Sequence, residues 1–265
     1  MPDIAPAETN QRLRSADLIT PLLLVQNIYF TYRDQNGKVC FTLMVDKFEF
    51  YQGERIALIG PNGAGKTTFL RIAALLQSAE RSSIIFNNHP IKTNVQSLHY
   101  HRSTAFVPQR LVLYNGSVTD NVALGLKIRG ASPSLIREKI SAMLNAFKIT
   151  HLAKRPVYQI SGGEARRVML ARALVLSPKI LFLDEPFADL DKQAKHALMN
   201  DFLPVLSQTG CTTIFITHNY EETYQLSDRL IVLFGGKIVQ NGQTQEIFKR
   251  PASQEIADFL GLEKR

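Results

Sequence analysis

Nine consecutive residues could hold the phosphates of a nucleotide. They match the phosphate-loop pattern G-x-x-x-x-G-K-[ST] without a mismatch and are Gly60, Pro61, Asn62, Gly63, Ala64, Gly65, Lys66, Thr67 and Thr68. In such a loop, glycines let backbone N–H groups turn toward phosphate oxygens, and the following helix adds the positive end of its dipole. Lys66 would reach the β- and γ-phosphates, and the Thr67 hydroxyl would bind Mg²⁺. A glycine-rich turn that happens to carry Lys-Thr is the alternative, but an apolar strand at 55–59 and a helical run at 69–76 favour the phosphate loop.

Two adjacent carboxylates could complete a site for phosphoryl transfer. Asp184 and Glu185 directly follow four apolar residues at 180–183, which predict a buried strand. Phosphoryl transfer needs one carboxylate to hold Mg²⁺ and a second to orient and deprotonate the attacking water. We interpret Asp184 as the metal-side residue and Glu185 as the general base. An acidic loop that merely ends a strand is the alternative for this pair.

Three further side chains near strand ends have both a functional and an ordinary interpretation. His218 could hydrogen-bond the γ-phosphate and fix the water, or it could be an ordinary histidine at a strand end. Gln109 could reach Mg²⁺ or the water, or it could be a solvated loop residue. Tyr32, at the end of a strand upstream of the phosphate loop, could pack in the core or offer its face to an adenine ring. We favour the stacking role for Tyr32.

A helix start after residue 160 carries two glycines. Ser161 followed three residues later by Glu164 is a capping box, which by itself explains both residues. Gly162 and Gly163 in the first turn each cost about 1 kcal/mol relative to Ala, so they suggest close approach of a ligand. A phosphate suits a helix N-terminus, but the site around Lys66 already has one. We therefore expect a second subunit to supply this one.

The elements that must position these residues alternate between strands and helices. This order predicts a largely parallel sheet covered on both faces, with ligand sites at the carboxyl ends of the strands. Two strands at 22–32 and 39–50 predict an antiparallel hairpin, and residues 117–148 are helical without a strand candidate. We therefore expect one domain at 21–265, with a helical subdomain inserted at about 110–176, and a flexible extension at 1–20.

Composition adds few constraints. The 265 residues carry a formal net charge of +8, which calls for an anionic partner such as a nucleotide, a nucleic acid or a membrane surface. Cys40 and Cys211 lie far apart in apolar runs, so we expect buried free thiols in a reducing compartment. With no signal peptide and no apolar run of bilayer length, the chain is expected to be cytoplasmic and soluble when alone.

In this order, the motifs resemble those of the nucleotide-binding subunit of ATP-binding cassette (ABC) transporters. The segments that carry the resemblance are, in chain order, the adenine-stacking aromatic Tyr32, the Walker A loop 60–68, the Q-loop glutamine Gln109, the signature 160–164, the Walker B and catalytic pair 184–185, the D-loop 188–191 and the switch histidine His218. The signature departs from the family pattern, since Ile160 replaces the usual Leu and Glu164 the usual Gln. A carboxylate facing a phosphate would be repelled, so we predict that Glu164 turns back to cap its own helix.

The resemblance implies a P-loop NTPase (RecA-like) fold in the α/β class, with a mostly parallel core sheet, an antiparallel β subdomain and an inserted α-helical subdomain. It implies an ATPase that uses ATP and Mg²⁺ and is coupled to transmembrane transport. The implied catalytic residues are Lys66, Gln109, Glu185 and His218, and the implied metal ligands are Thr67, Gln109 and Asp184. The nucleotide would contact Tyr32 and the Walker A loop, together with Asp191 and with Ser161, Gly162 and Gly163 of the signature.

The same resemblance implies partners. Two copies would form a head-to-tail homodimer, with each ATP between Walker A of one copy and the signature of the other. The dimer would bind a membrane-spanning permease from the cytoplasmic face of the inner membrane, with an extracytoplasmic solute-binding protein and no nucleic acid. Residues 117–130 are similar to import cassettes, and the whole looks most like tungstate, molybdate or phosphate-type oxyanion importers. Two alternatives stay open: a soluble ABC ATPase of the assembly or repair type, and an importer of an amino acid, a metal or phosphate. A regulatory cassette without turnover is disfavoured by the intact Lys66, Glu185 and His218.

Overall fold

The apolar runs of the sequence pair into two sheets. A computed structural model describes residues 20–262, so the extension expected at 1–20 lies outside the described residues apart from Thr20. The strands are β1 (Leu23–Arg33), β2 (Val39–Phe50), β3 (Arg55–Ile59), β4 (Arg81–Phe86), β5 (His89–Pro90), β6 (Thr104–Val107), β7 (Ile180–Asp184), β8 (Thr212–Ile216), β9 (Arg229–Phe234) and β10 (Lys237–Gln243). The helices are α1 (Lys66–Ala73), α2 (Asn94–Ser103), α3 (Val118–Ile128), α4 (Pro133–Ala146), α5 (Gly162–Leu174), α6 (Lys192–Thr209), α7 (Tyr220–Leu226), α8 (Thr244–Lys249) and α9 (Gln254–Phe259).

One sheet is mostly parallel and the other is antiparallel, as predicted. The larger has the strand order β10-β9-β3-β8-β7-β6, in which only the β9–β10 hairpin is antiparallel. The smaller has the order β2-β1-β4-β5 with antiparallel pairs throughout. The hairpin of β1 and β2 thus forms where the sequence predicts it. The carboxyl ends of β3, β6, β7 and β8 share one edge of the larger sheet.

The larger sheet is buried on both faces because its central strands are apolar throughout. Successive side chains of a strand point to opposite faces. Along β7, Leu181 and Leu183 join the core cluster shared with helices α3 to α6, whereas Ile180 and Phe182 join the cluster shared with α1 and the smaller sheet. Because packing on both faces fixes the strand, the residues that follow its end are held in a defined position.

The segment between β6 and β7 is helical, as expected, and consists mainly of α3, α4 and α5. Two helices, α2 and α7, were not predicted. Helix α2 buries only Tyr100, so its sequence has no apolar stripe from which a helix could be recognised. The limits of a separate helical subdomain stay a prediction.

The prediction that both thiols are buried is wrong for Cys40. Cys211 is buried, and burial raises the pKa of its thiol to about 12. Cys40 is free and exposed because the β1–β2 hairpin extends beyond the core at its turn. Apolar neighbours in the sequence therefore did not place Cys40 in the core.

None of the helices within residues 20–262 combines the length and the apolar character that crossing a bilayer requires.

Candidate active site

The phosphate loop leaves β3 at Gly60 and enters α1 after Gly65. Gly60 has a φ of +152°, and a Cβ there would lie 2.0 Å from the carbonyl oxygen of Leu233. Gly65 has a φ of +97°, and a Cβ there would lie 2.7 Å from the ring of Phe41. Both positions therefore need glycine, for the backbone conformation and for space. The predicted roles of these two glycines in shaping the loop agree with this geometry.

A buried cation and an uncapped helix end meet in the loop. No side chain caps the N-terminus of α1 at Gly65. Lys66 is 7% exposed, and its ammonium donates to the carbonyl oxygens of Gly60 at 2.8 Å and Pro61 at 2.9 Å. Burial lowers the pKa of Lys66, and the nearby carboxylates of Glu185 and Asp184 act in the opposite direction. An anion at this end of α1 would gain both a positive charge and the helix dipole.

The metal-side residues predicted from the sequence contact each other. Thr67 Oγ1 donates to Asp184 Oδ1 at 3.1 Å. Asp184 is 3% exposed, and burial raises the pKa of its carboxyl group, although the bond from Thr67 partly offsets this. A buried carboxylate with one hydroxyl partner is an unfavourable arrangement unless a cation completes it.

The third predicted metal ligand, Gln109, reaches the same edge of the sheet. Its Nε2 donates to Glu185 Oε2 at 2.9 Å, which leaves its amide oxygen available as a ligand for a cation. Hydroxyl, carboxylate and amide oxygens are the ligands that Mg²⁺ prefers, and Mg²⁺ sites use few protein carboxylates together with substrate phosphates. Within residues 20–262 no group of three His, Cys, Asp or Glu residues forms a closed metal cage. The residues present therefore fit Mg²⁺ bound together with a nucleotide.

Glu185 lies between two of the other predicted catalytic residues, Gln109 and His218. Its Oε1 is 3.0 Å from His218 Nε2, and its Oε2 accepts the bond from Gln109. The three side chains come from the ends of β7, β8 and β6, which are neighbours in the sheet. Glu185 has a φ of +48°, an unusual backbone conformation for this residue type. Strain of this kind is found where a fold fixes a functional side chain.

Tyr32 lies beside the loop and outside the core. Its side chain is 47% exposed, and its hydroxyl is 3.5 Å from Thr68 Oγ1. Phe30 meets it edge-on, with ring centroids 4.8 Å apart. The core interpretation of Tyr32 is thus wrong, whereas adenine stacking stays a prediction.

Glu164 caps its own helix, as predicted. Its Oε2 accepts bonds from the backbone N and the Oγ of Ser161, both at 2.8 Å, and its own N donates to Ser161 Oγ at 3.3 Å. The bond from the Ser161 backbone is the main reason that the pKa of Glu164 is lowered. Ser161 and Gly162 are exposed and Gly163 is half-buried. Within the described part of the chain no hydrogen bond joins these three residues to the phosphate loop.

Asp191 has a structural role that the sequence did not suggest. Its carboxylate caps the N-terminus of α6 by accepting from the backbone N of Ala194 at 2.8 Å. The side chain is exposed. A contact between Asp191 and the nucleotide stays a prediction.

Two charged residues near the site were missed, one buried and one half-buried. Arg166, on α5, donates to the backbone oxygens of Gln109 and Ala188. Lys195, on α6, forms an ion pair with buried Glu222 at 2.8 Å. In the sequence each of these residues is an ordinary charged residue of a helix, and only tertiary packing distinguishes it from a solvated one.

The family model described as "ABC transporter" matches residues 43–188. The molybdate/tungstate import ATP-binding protein WtpC of Thermococcus kodakarensis is 39% identical over 243 residues, which are 91% of this chain and 71% of that protein. The sulfate/thiosulfate import ATP-binding protein CysA of Bacillus cereus is 41% identical over 216 residues, which are 79% of this chain and 59% of that protein.

Solved structures agree with the observed fold. The chain is similar to cbiO1 from Clostridium perfringens, part of the ABC transporter complex cbiONQ, with a TM-score of 0.77, 27% identity, and coverage of 87% of this chain and 92% of that one. The cassette MJ0796, in a dimeric post-hydrolysis state bound to ADP and Pi, has a TM-score of 0.74 at 24% identity, covering 84% of this chain and 98% of that one, which supports the fold. With the phosphate loop, the carboxylate pair and these relatives, the chain belongs to the ABC transporter family, as an ATP-binding subunit with ATPase activity.

Proposed function

We propose that this ATPase energises the import of a small oxyanion, such as molybdate or tungstate, from the cytoplasmic face of the membrane. The relatives named above are import ATP-binding proteins for molybdate/tungstate and for sulfate/thiosulfate. They share 39% and 41% of aligned residues with this chain, and the WtpC alignment covers nearly all of it. The proposal on direction and cargo rests on that similarity, and the proposal on chemistry rests on the site.

The observation that carries the chemistry is the position of Glu185 between Gln109 and His218. A carboxylate at this place can accept a proton from a water molecule that lies between it and the γ-phosphorus. The water oxygen bonds to that phosphorus while the bond to the bridging oxygen breaks, and ADP leaves with the electron pair. His218 would donate to a γ-phosphate oxygen and so fix the water.

The loop residues would hold the phosphates. Lys66 would exchange its bonds to the Gly60 and Pro61 carbonyls for the β- and γ-phosphate oxygens, and the N–H groups of the loop would contact the remaining oxygens. Thr67, Asp184 and Gln109 would hold Mg²⁺. When bound, Mg²⁺ neutralises the charge that develops on the β- and γ-phosphate oxygens.

The rest of the nucleotide would be bound by residues farther from the reacting atoms. Tyr32 would stack on the adenine, since its side chain is half exposed beside Thr68. Ser161, Gly162 and Gly163 would contact the ATP of a second copy in a head-to-tail dimer, with Asp191 near the same interface. Their exposure, and their lack of a bond to the phosphate loop of their own chain, support this arrangement.

We also propose how the subunit connects to its partners. Residues 21–265 would form one domain in which the helical segment at about 110–176 and the Gln109 loop contact a membrane-spanning permease. An extracytoplasmic solute-binding protein would deliver the cargo. Closure of the dimer on ATP would drive the permease, and hydrolysis would reset it.

Replacement of the proposed base tests the chemistry. Glu185→Gln is expected to keep ATP binding, to lower turnover by about 100-fold or more, and to accumulate an ATP-dependent dimer. Turnover is measured by phosphate release and dimer formation by size-exclusion chromatography with ATP and Mg²⁺. Wild-type turnover in this variant would contradict the assignment. Glu164→Gln is a matched control, because that carboxylate caps α5 instead of facing Gln109, and its turnover should stay within about threefold of the wild type.

The cargo is tested by reconstitution. The subunit would be placed in vesicles with the permease and the solute-binding protein encoded beside it. Stimulation of ATPase activity would then be compared for tungstate, molybdate, sulfate, phosphate, an amino acid, a sugar and a metal ion. Stimulation by an oxyanion supports the proposal, and stimulation by another class of solute alone overturns the proposed cargo. If the subunit binds no membrane partner when it is purified, the proposal of import is overturned.

A further inference from the structure

We propose that Arg166 is a positioning residue that holds Glu185 in place through two backbone segments. Its guanidinium donates through Nη1 to the carbonyl oxygen of Gln109 at 2.8 Å and through Nη2 to that of Ala188 at 3.3 Å. The side chain is buried, with an exposure of 2%. One planar group on α5 thus bridges the loop after β6 and the loop after β7.

Each of the two bridged segments is itself bonded to Glu185. The side chain of Gln109 donates to Glu185 Oε2 at 2.9 Å. The backbone N of Ala188 donates to the backbone oxygen of Glu185 at 3.2 Å, which closes a turn. Glu185 and Asp189 both have positive φ, at 48° and 61°, so this turn is strained and must be held by its surroundings. Arg166 therefore acts on both the carboxylate and the backbone of Glu185.

The charge of Arg166 is hard to explain by packing alone. Burial lowers the pKa of Arg166, and the charge of Asp189 acts in the opposite direction. Its Nε has no hydrogen-bond partner within residues 20–262. A buried guanidinium is costly, and an apolar side chain of similar size would stabilise the helix at least as well. An apolar side chain cannot bond the two carbonyl oxygens, and Lys lacks the planar guanidinium whose N–H groups hold them at a fixed spacing.

The position of Arg166 on α5 gives this bridge a mechanical consequence. Helix α5 begins at Gly162 after its N-cap Ser161, so the proposed contact with the ATP of the second copy lies about one turn from Arg166. A shift of α5 on contact with that ATP would move the Gln109 and Ala188 segments and reorient Glu185 of the same chain. This inference rests on the proposed function, in which Glu185 is the base and α5 faces the nucleotide of the second copy.

Arg166→Lys and Arg166→Gln test the inference in the full-length protein. Because misplacement of a catalytic group by about 1 Å costs up to about 100-fold in rate, kcat of the ATPase is expected to fall about 10- to 100-fold in both variants. The Kd for Mg²⁺-ATP and the KM should change much less than kcat, because the two bonds of Arg166 end on the Gln109 and Ala188 segments and not on the phosphate loop. Assays are run below the melting temperature of each variant. If Arg166→Gln is too unstable to assay, the result for Arg166→Lys alone tests the inference.

Arg167→Lys is the matched control. Arg167 is the next residue on α5, and it donates to the backbone oxygen of Phe147 at 2.9 Å and to the carboxylate of Asp201, away from the site. Its replacement should lower the melting temperature while kcat changes less than about threefold. An equal loss of kcat in the two variants would show a general effect of helix stability and would overturn the inference.

A double-mutant cycle supplies a readout that a merely structural role would not change. If Arg166 acts partly through the Gln109 side chain and partly through the Ala188 turn, then Arg166→Lys should lower kcat by a smaller factor in a Gln109→Ala background than in the wild type. Multiplicative losses, or wild-type kcat in Arg166→Lys, would overturn the inference. The proposed role of Glu185 as the base fails separately, if Glu185→Gln keeps wild-type turnover.

Discussion

Replacement of Asp184 by Asn should stabilise the nucleotide-free protein. Asp184 is almost fully buried, and its carboxylate accepts a hydrogen bond from the Thr67 hydroxyl at 3.1 Å. Glu185 adds a second negative charge next to it, and Lys66 and Arg71 offset this in part. Without a cation beside it, this buried carboxylate is expected to destabilise the folded protein. Asn keeps the shape and removes the charge.

The expected gain is modest but measurable. Single stabilising substitutions commonly yield about 0.5–2 kcal/mol, so we expect a gain of about 1 kcal/mol for Asp184→Asn. For a chain of this size, 1 kcal/mol corresponds to a rise in Tm of about 2–4 °C. The variant should at the same time lose most of the additional stabilisation that Mg²⁺-ATP gives the wild type, because that gain depends on ligand affinity.

The gain should depend on pH in a defined direction. Burial raises the pKa of Asp184 in the folded state, so the folded protein keeps a proton at pH values where the unfolded chain has lost it. The stability of the wild type therefore falls as the pH rises from the ordinary carboxyl range, about pH 4, through the raised pKa. The Asn variant lacks this loss. Its advantage should be largest at neutral pH and should vanish as the pH falls to about 4.

Asp201 provides a control of opposite sign. It is also a buried carboxylate, but it pairs with Lys148 at 2.7 Å and with Arg167. Burial acts to raise the pKa of Asp201, yet these two partners hold it below its usual range. Asp201→Asn should therefore destabilise the protein, by about 3 kcal/mol at neutral pH. That loss should shrink as the pH falls through the lowered pKa, where the wild type gives up the same charge.

Thermal and chemical denaturation of both variants without nucleotide or Mg²⁺ would check this reasoning. A lower Tm for Asp184→Asn than for the wild type at neutral pH would show that the carboxylate is satisfied in the nucleotide-free state. A gain that stays constant down to about pH 4 would show that it does not arise from the charge. Either result would refute the argument that the site is electrostatically incomplete.

Two further predictions concern the ion pair between α6 and α7 and the proposed stacking of Tyr32 on adenine. Lys195→Met should lower the free energy of unfolding by about 3 kcal/mol, because it leaves the buried carboxylate of Glu222 without the ammonium that pairs with it. Adding Glu222→Gln to this variant should recover part of the loss, and an unchanged loss in the double variant would contradict the prediction. Tyr32→Ala should raise the Kd for ATP about tenfold in a fluorescent-nucleotide titration, because it removes the ring that would stack on adenine. Tyr32→Phe keeps the ring, so its Kd should stay within about threefold of the wild-type value. A wild-type Kd in the Ala variant would exclude stacking.

The parts of the site that could be predicted are local in the sequence or follow from sheet topology. The loop 60–68 and the pair 184–185 are contiguous motifs. His218 and Gln109 lie far away along the chain, but parallel strands bring their ends to one edge, so convergence on Glu185 was predictable once the strands were recognised. The cap from Glu164 to Ser161 was predictable because its geometry is local.

The parts that could not be predicted depend on packing that no local pattern encodes. Helix α5 is buried on almost every side, so its sequence has no polar face against which a buried Arg166 would stand out. Cys40 lies in an apolar run, yet its strand pair extends past the core, and the length of that extension is a tertiary property. Helix α2 has a capping box between Thr93 and Gln96 that could have revealed it, but its weak apolar periodicity hides it.

Helix α5 gives a physical reason why two copies could act as one machine. Its N-terminus carries a capping box between Ser161 and Glu164, and Ser161 and Gly162 are exposed, so in the proposed dimer a phosphate of the second copy's ATP would meet this helix end. Its second turn carries Arg166, whose bonds end on the segments that hold Glu185. A rigid helix cannot move at one end and stay fixed at the other. The copy whose α5 contacts an ATP is then the copy whose Glu185 is adjusted, and ATP bound by one chain would prepare hydrolysis in the other.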